Sequence, residues 1–228
     1  MTPKGRFSCY SAQALVSIRH CTSVLPPWGG IDMLLSTNPI AIAVPALEEP
    51  PLVLDMATTV AAYGKVKVAA QQGKPMPEGW MIDRQGQPLT DPTRADDGFL
   101  LPIGGYKGAA LSLMFGLLAG TLNGAANGAD VVDFNKDDMT PTNTGQAICV
   151  LDIKAFAEPL QFKRQVDAVI RQLHGSALLP AFDRIRLAGE DRHRRIEERR
   201  AHGIPIPPEL RSALDKLATE LSIGSLFA

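Results

Sequence analysis

Two short clusters combine residue types suited to holding a polar ligand. In the first, Ser36-Thr-Asn-Pro39 leads into the apolar run Ile40-Ala-Ile-Ala-Val44, and a second run, Leu52-Val-Leu54, ends in Asp55-Met-Ala-Thr-Thr59. In the second cluster, Gly104-Gly-Tyr-Lys-Gly108 joins the run Phe99-Leu-Leu-Pro102 to an apolar stretch at 109–122. Short apolar runs read as strands covered on both faces, which puts the polar residues at strand ends, bordering a cleft. Glycines at a strand-to-helix turn let a ligand approach backbone amides, and Lys107 brings a positive charge to a phosphate or carboxylate. Asn38, ahead of Pro39, is expected to be extended. Each cluster also has a plain structural alternative: Asp55 as the cap of a helix over residues 60–68, and residues 104–108 as a tight turn with a solvated lysine. Neither GxGxxG nor a Walker loop is present.

The elements that must position these clusters can be read from periodicity. Ala14-Leu-Val-Ser-Ile18 and residues 145–152 (GQAICVLD) read as further strands of the same sheet. The stretch 109–122 is interrupted by Ser112, Gly116 and Gly120; it reads as a buried helix, short of the roughly 20 apolar residues of a membrane span. Phe162, Val166, Val169, Ile170 and Leu173 share one helical face, as do Leu210, Leu214, Leu217 and Leu221 after Pro207-Pro208, and both faces are expected to be core. Residues 73–92 are dense in turn formers and read as loop with short extended pieces; Trp80-Met-Ile-Asp83 receives no chemistry. The resulting expectation is a mixed α/β fold.

With 228 residues, 45% hydrophobic, 21% charged and a net charge of −1, and a pI near 6.4, the composition is that of one or two soluble domains. It offers no field for nucleic acid or an anionic membrane. Cys9, Cys21 and Cys149 fit neither a disulfide framework nor a zinc ligand set, and read as reduced thiols in a cytoplasm. Asp130, Asp133, Asp137 and Asp138 lack the order of an EF-hand and its closing glutamate, so a solvated loop is expected and no metal site is assigned. Arg192, Arg194, Arg195, Arg199 and Arg200 interleave with Glu197 and Glu198; mixed signs without aromatic residues point to an exposed helix with ion pairs. Residues 1–31 contain no Asp or Glu and are serine-rich, which suggests either a transit peptide or a start that is not the natural start of a domain.

The ordered motifs TNP and AVP, LDMAT, Gly64-Lys65 and GGYKG resemble the malate/L-lactate dehydrogenase family of NAD(P)-dependent 2-hydroxyacid oxidoreductases. That family includes ureidoglycolate dehydrogenase and cyclic imino acid reductases and is distinct from Rossmann-type lactate dehydrogenases. The likeness runs from about Ala14 to the C-terminus (residues 14–228, the cofactor-binding and C-terminal part) and leaves residues 1–13 poorly matched. It implies a non-Rossmann, largely antiparallel central sheet covered by helices, a homodimer, and NAD or NADP as cofactor. It implies hydride transfer between the nicotinamide and a small 2-hydroxyacid or 2-oxoacid.

Carried over residue by residue, Asp55, Met56, Ala57, Thr58, Lys107 and Gly108 would line the cofactor, and Thr37 and Asn38 the substrate. Ile185-Arg-Leu-Ala-Gly-Glu190 is similar to a family strand ending Pro-Gly-Glu, which adds Gly189 and Glu190 to the cofactor wall, with Ala188 in place of the proline. Tyr106 stands where the family more often has histidine, so stacking and hydrogen bonding survive there but an imidazole role does not. The family's proton-transferring histidine and substrate-orienting arginine belong to an N-terminal third that, by this resemblance, is absent here. No catalytic residue is therefore assigned, and His20, set in Ile-Arg-His-Cys-Thr, does not match. Two rivals stand beside this reading: a truncated, inactive member retaining at most cofactor binding or an interaction role, and an unrelated scaffold in which the motif order is coincidence.

Overall fold

The computed structural model describes residues 13–19, 23–133, 137 and 139–224. His20, Cys9, Cys21 and Asp138 lie outside the described residues. The chain divides into two compact units, the first ending at Gly189 and the second beginning at Glu190.

In the first unit, the alternating Ile40-Ala-Ile-Ala-Val44 forms β4 (Ile40–Val44), which pairs antiparallel with β5 (Leu52–Met56), Ile40 opposite Met56 and Val44 opposite Leu52. On its other side β4 meets β1 (Gln13–Arg19), and β1 pairs antiparallel with β8 (Gln146–Asp152), giving the strand order β5-β4-β1-β8. These antiparallel ladders lack the helical crossovers that parallel strands require, which separates the sheet from a doubly wound one.

Two smaller ladders extend the unit: β2 (Ser23–Leu25) with β3 (Leu35–Ser36), and β6 (Met81–Asp83) with β7 (Gly98–Leu100). The helix α1 (Tyr63–Gln71) contributes Val66 to a buried cluster with Ala61, Met76, Met81, Leu89 and Leu100. The helix α2 (Tyr106–Ala119) packs across β1, β3 and β8.

Several expectations are corrected. The strands β4 and β5 are half-buried, with Asp55 exposed, rather than covered on both faces; β5 is an edge strand, so fewer neighbours shield it. Asp55 lies inside β5 and does not cap a helix: α1 starts only at Tyr63, after Ala62, which offers no side-chain cap. The intervening residues are drawn toward the end of β7 instead, where Val60 N–H donates to the Leu101 carbonyl at 2.9 Å and Thr59 bridges to Pro102. Residues 185–187 form no strand; one backbone bond, Val53 N–H to the Ala188 carbonyl at 3.0 Å, joins that segment to β5.

The helix α3 (Pro159–His174) has its expected apolar face, yet Val169 is 49% exposed and Leu173 45% exposed while Ile170 is buried. Periodicity identifies the apolar face, whereas burial also requires a facing element. What fixes α3 in place is polar. The carboxylate of Asp167, buried on α3, accepts the backbone N–H groups of Leu47, Glu48 and Glu49 at 3.0, 3.0 and 3.2 Å, closing the turn between β4 and β5. One turn further, Arg171 bonds Glu48 and Glu49 at 2.6 and 2.7 Å.

The second unit contains α4 (Glu190–His202) and α5 (Pro208–Glu220). The mixed-charge helix carries the expected pairs, Arg194 with Asp191 at 3.0 Å and Arg200 with Glu197 at 2.6 Å, all exposed. On α5 Ala218 is buried, but Leu210, Leu217 and Leu221 are exposed, so the anticipated core face is again not covered among the described residues.

Burial alone would raise the pKa of Asp167, but three backbone donors and Arg171 outweigh it and leave the carboxyl below its ordinary value. A carboxylate with a depressed folded-state pKa contributes stability at neutral pH that is lost as the pH falls below about 4 and through that lower value. Asp167→Ala is expected to cost about 1–3 kcal/mol at pH 7, since three amides lose their acceptor. The difference from wild type should shrink in acid, which thermal melts across pH 2–7 would show; an unchanged Tm at pH 7 would contradict the role.

Candidate functional site

The antiparallel register of β4 and β5 places the entry to one strand beside the exit from the other. Thr37 and Asn38 precede β4, Met56 closes β5 opposite Ile40, and Ala57 and Thr58 follow. Thr58 is fully buried and bonds twice to the Thr37 carbonyl, through its N–H at 2.8 Å and its Oγ1 at 2.9 Å. Its own carbonyl accepts the Ile103 N–H at 2.9 Å, so the hairpin end is tied directly to the turn that opens α2.

Asn38 departs from expectation. Its φ is +24°, a conformation that asparagine tolerates better than most residues, rather than the extended one favoured before proline. Tertiary bonding overrides the local preference: the 1%-exposed side chain donates from Nδ2 to the Ser112 carbonyl at 2.7 Å. Ser112, wholly buried on α2, donates from Oγ to the Ser36 carbonyl at 2.5 Å. A sparsely populated backbone state held by buried bonds costs about 1–3 kcal/mol and concentrates at functional sites. Beside these groups opens a cavity of about 530 Å³, walled by Leu34, Leu113 and Asn127; a few polar groups among apolar walls suit a small molecule.

The start of α2 supplies the complementary charge. Gly105, with φ +64°, precedes the helix and offers no side-chain cap to its first amides. Gly108 is required by close packing: a Cβ there would lie 2.2 Å from the Ile103 carbonyl oxygen. Tyr106 and Lys107 are exposed, and the Lys107 ammonium makes no ion pair or hydrogen bond among the described residues. Unpartnered amides at a helix start with an uncommitted lysine fit a phosphate group.

The structure thus gathers Thr37, Asn38, Met56, Ala57, Thr58, Lys107 and Gly108 around one hairpin end and one helix start. Asp55 lies on β5 opposite Ala41, its side chain exposed. Gly189 lies in a turn packed beside Val53 of β5, and Glu190 opens α4 in the second unit. Sequence reading missed Ser112 as a site residue, although a serine inside an otherwise apolar helix was the available signal. It also missed Trp28, whose ring lies so close that a Cβ on Gly105 would stand 3.1 Å from it.

Comparison with known proteins bears on these same segments. Residues 12–215 match the profile described as malate/L-lactate dehydrogenase. The chain belongs to the malate/L-lactate dehydrogenase family. It is 34% identical over 223 residues to a malate dehydrogenase of Pyrococcus horikoshii, covering 92% of this chain and 60% of that protein. It is 32% identical over 216 residues to a ureidoglycolate dehydrogenase (NAD(+)) of Escherichia coli O157:H7, covering 92% and 61%. The fold is similar to that of a sulfolactate dehydrogenase from Methanocaldococcus jannaschii, with a TM-score of 0.81, 30% identity, and coverage of 93% of this chain and 60% of that one. The chain therefore spans about 60% of the length of these members of the malate/L-lactate dehydrogenase family.

Because the Ile103 carbonyl fills the space beside Gly108, Gly108→Ala should displace the start of α2. A loss of about 1–3 kcal/mol, the usual cost of overpacking, is expected in denaturant unfolding. An unchanged midpoint would show that this turn yields without penalty.

Proposed function

We propose that this chain holds NAD or NADP for hydride transfer between the nicotinamide and a small 2-hydroxyacid or 2-oxoacid. The observation that carries the reading is the direct bonding of the Thr37–Thr58 pair to the turn that opens α2, which fixes the end of the β4–β5 hairpin against an anion-suited helix start. The proposal takes support from a relative named for malate and one named for ureidoglycolate with NAD(+). These names favour an oxidoreductase over an inactive remnant.

When bound, the cofactor supplies or accepts the hydride. The protein's part is placement. Met56, Ala57 and Thr58 form a wall at the hairpin end, made rigid by the bonds of Thr58 on both sides. Lys107 and the first amides of α2 hold phosphate, and Gly108 keeps that turn tight against Ile103. The Thr37 hydroxyl makes no hydrogen bond among the described residues and is available to a substrate oxygen. Asn38 and Ser112, locked to one another, fix the floor of the adjoining cavity. Asp55, Gly189 and Glu190 remain assigned to the cofactor by family resemblance alone.

We further propose a cytoplasmic homodimer without nucleic-acid or membrane partners. No helix among the described residues is long and apolar enough to cross a membrane. Exposed Leu111, Met114 and Leu118 on α2 and Ile148 and Val150 on β8 are surface that a second copy would cover.

Removal of the phosphate-facing charge tests the reading. Lys107→Ala should weaken NADH and NADPH alike by roughly tenfold, the loss of one charge-assisted contact, with the melting temperature unchanged because the side chain is exposed and unpaired. Wild-type affinity in the variant, measured by nicotinamide fluorescence, would remove Lys107 from the site. A screen of NAD(P)H oxidation with malate-like, lactate-like and ureidoglycolate-derived 2-oxoacids then identifies the substrate.

A further inference from the structure

We propose that the cavity between residues 31–34, the β6–β7 hairpin and residues 129–133 is a second ligand site, which takes a basic α-amino acid such as lysine or arginine. The ligand's carboxylate meets Arg84, its cationic groups meet Asp32, Asp96 and Asp133, and its methylene stem lies on the apolar floor. This goes beyond the cofactor reading and does not depend on it. Neither Thr37 and Asn38, nor the hairpin end at residues 56–58, nor the helix start at residues 104–108 is in the cavity wall.

The cavity measures about 580 Å³ and is assembled from segments far apart in the chain, a size and construction usual for a small-molecule site. Its floor is apolar, with Met81, Phe99 and Leu100 all buried. Its polar wall is charged and of both signs. Asp32 comes from the segment before β3, Arg84 from the turn after β6, Asp96 from the segment before β7, and Asp133 from the far loop. Three carboxylates against one guanidinium make the wall negative, with a single cationic spot.

These opposite charges are held apart. Although Arg84 shares the wall with three carboxylates, its guanidinium makes no ion pair or side-chain hydrogen bond among the described residues, and Asp32 and Asp96 make no ion pair among them either. The adjacent Asp83 is committed to its own turn, where Oδ1 accepts the N–H groups of Gln85 and Gln87, both at 2.9 Å. A guanidinium accepts a carboxylate through paired N–H donors. Unlike charges that line one cavity without meeting suit a molecule that carries both.

The carboxylates do not converge on one point. Among the described residues no group of three His, Cys, Asp or Glu side chains is placed to hold a metal ion, whereas a hard dication needs its oxygen ligands gathered around it. Charge spread along a wall suits separated cationic groups joined by a flexible stem. Such a stem lies along apolar surface while its charged end reaches a polar partner, and the floor of Met81, Phe99 and Leu100 offers that surface.

Tyr63, at the start of α1, adds a neutral polar group to the wall. Its hydroxyl makes no hydrogen bond among the described residues. Burial, and then the negative charges of Asp96 and Asp133, push its pKa up, so the phenol keeps its proton within electrostatic reach of both carboxylates. Lys67, over the same ring at 5.7 Å, lies outside the cavity wall.

The test is calorimetric titration of L-lysine and L-arginine into the whole chain at low salt, with folding checked by circular dichroism. Saturable binding in the millimolar range or tighter is expected. Cadaverine, which lacks the carboxylate, and L-norleucine, which lacks the side-chain ammonium, should each bind roughly tenfold more weakly than lysine, the loss of one charge-assisted contact. Asp96→Asn should weaken lysine by a similar factor. Arg84→Ala should weaken lysine and spare cadaverine, while Asp97→Asn, which removes the partner of Arg94, should change neither. A folded wild type that binds neither amino acid saturably, norleucine binding as tightly as lysine, or lysine binding undiminished in Arg84→Ala or in Asp96→Asn overturns the proposal. Each of these results leaves the cofactor reading untouched.

Discussion

The hydrogen bonds of Thr58 join the two halves of the candidate site. Its N–H and hydroxyl both reach the Thr37 carbonyl, and its carbonyl takes the Ile103 N–H, all between 2.8 and 2.9 Å. With Thr58 fully buried, these bonds are shielded from competing water and expensive to leave unmade. Ser112 and Asn38 repeat the connection one layer away, linking the entry of β4 to the body of α2. The helix start is therefore not independent of the hairpin end. Whatever binds at residues 104–108 meets a wall at residues 56–58 whose position is already set.

The far end of the same hairpin is held differently. Asp167 gathers three amides of the β4–β5 turn, and Arg171 bonds the two glutamates beside it. One hairpin is thus anchored by α2 at the end where chemistry is expected and by α3 at the other. The exposed ion pairs of Arg171 contribute little on their own; the buried carboxylate with three donors is the stronger restraint.

Much of this was legible in the residues. The short apolar runs Ile40-Ala-Ile-Ala-Val44 and Leu52-Val-Leu54 gave the two strands, and the glycines of residues 104–108 gave the turn, because those signals are local; the pairing of the strands into a hairpin came from the structure. The details that depend on tertiary contact were not legible. Asn38 takes a positive φ because Ser112, far away in sequence, holds its side chain. Asp167 looks like one more polar residue on an amphipathic helix until the turn at Leu47 is brought against it. Leu173 and Leu217 fit an apolar stripe and yet stand exposed, since a stripe reports a preference and not a neighbour. Thr37, Asn38 and Thr58 were assigned by family resemblance, and the geometry adds a physical link between them.

Amide hydrogen exchange with and without NADPH tests most directly whether the hairpin end and the helix start act as one nucleotide site. The account predicts that nucleotide slows exchange in residues 56–60 and 103–109 together and leaves α4 and α5 unchanged. Slowed exchange confined to other segments, or none in a folded protein at saturating nucleotide, would contradict it.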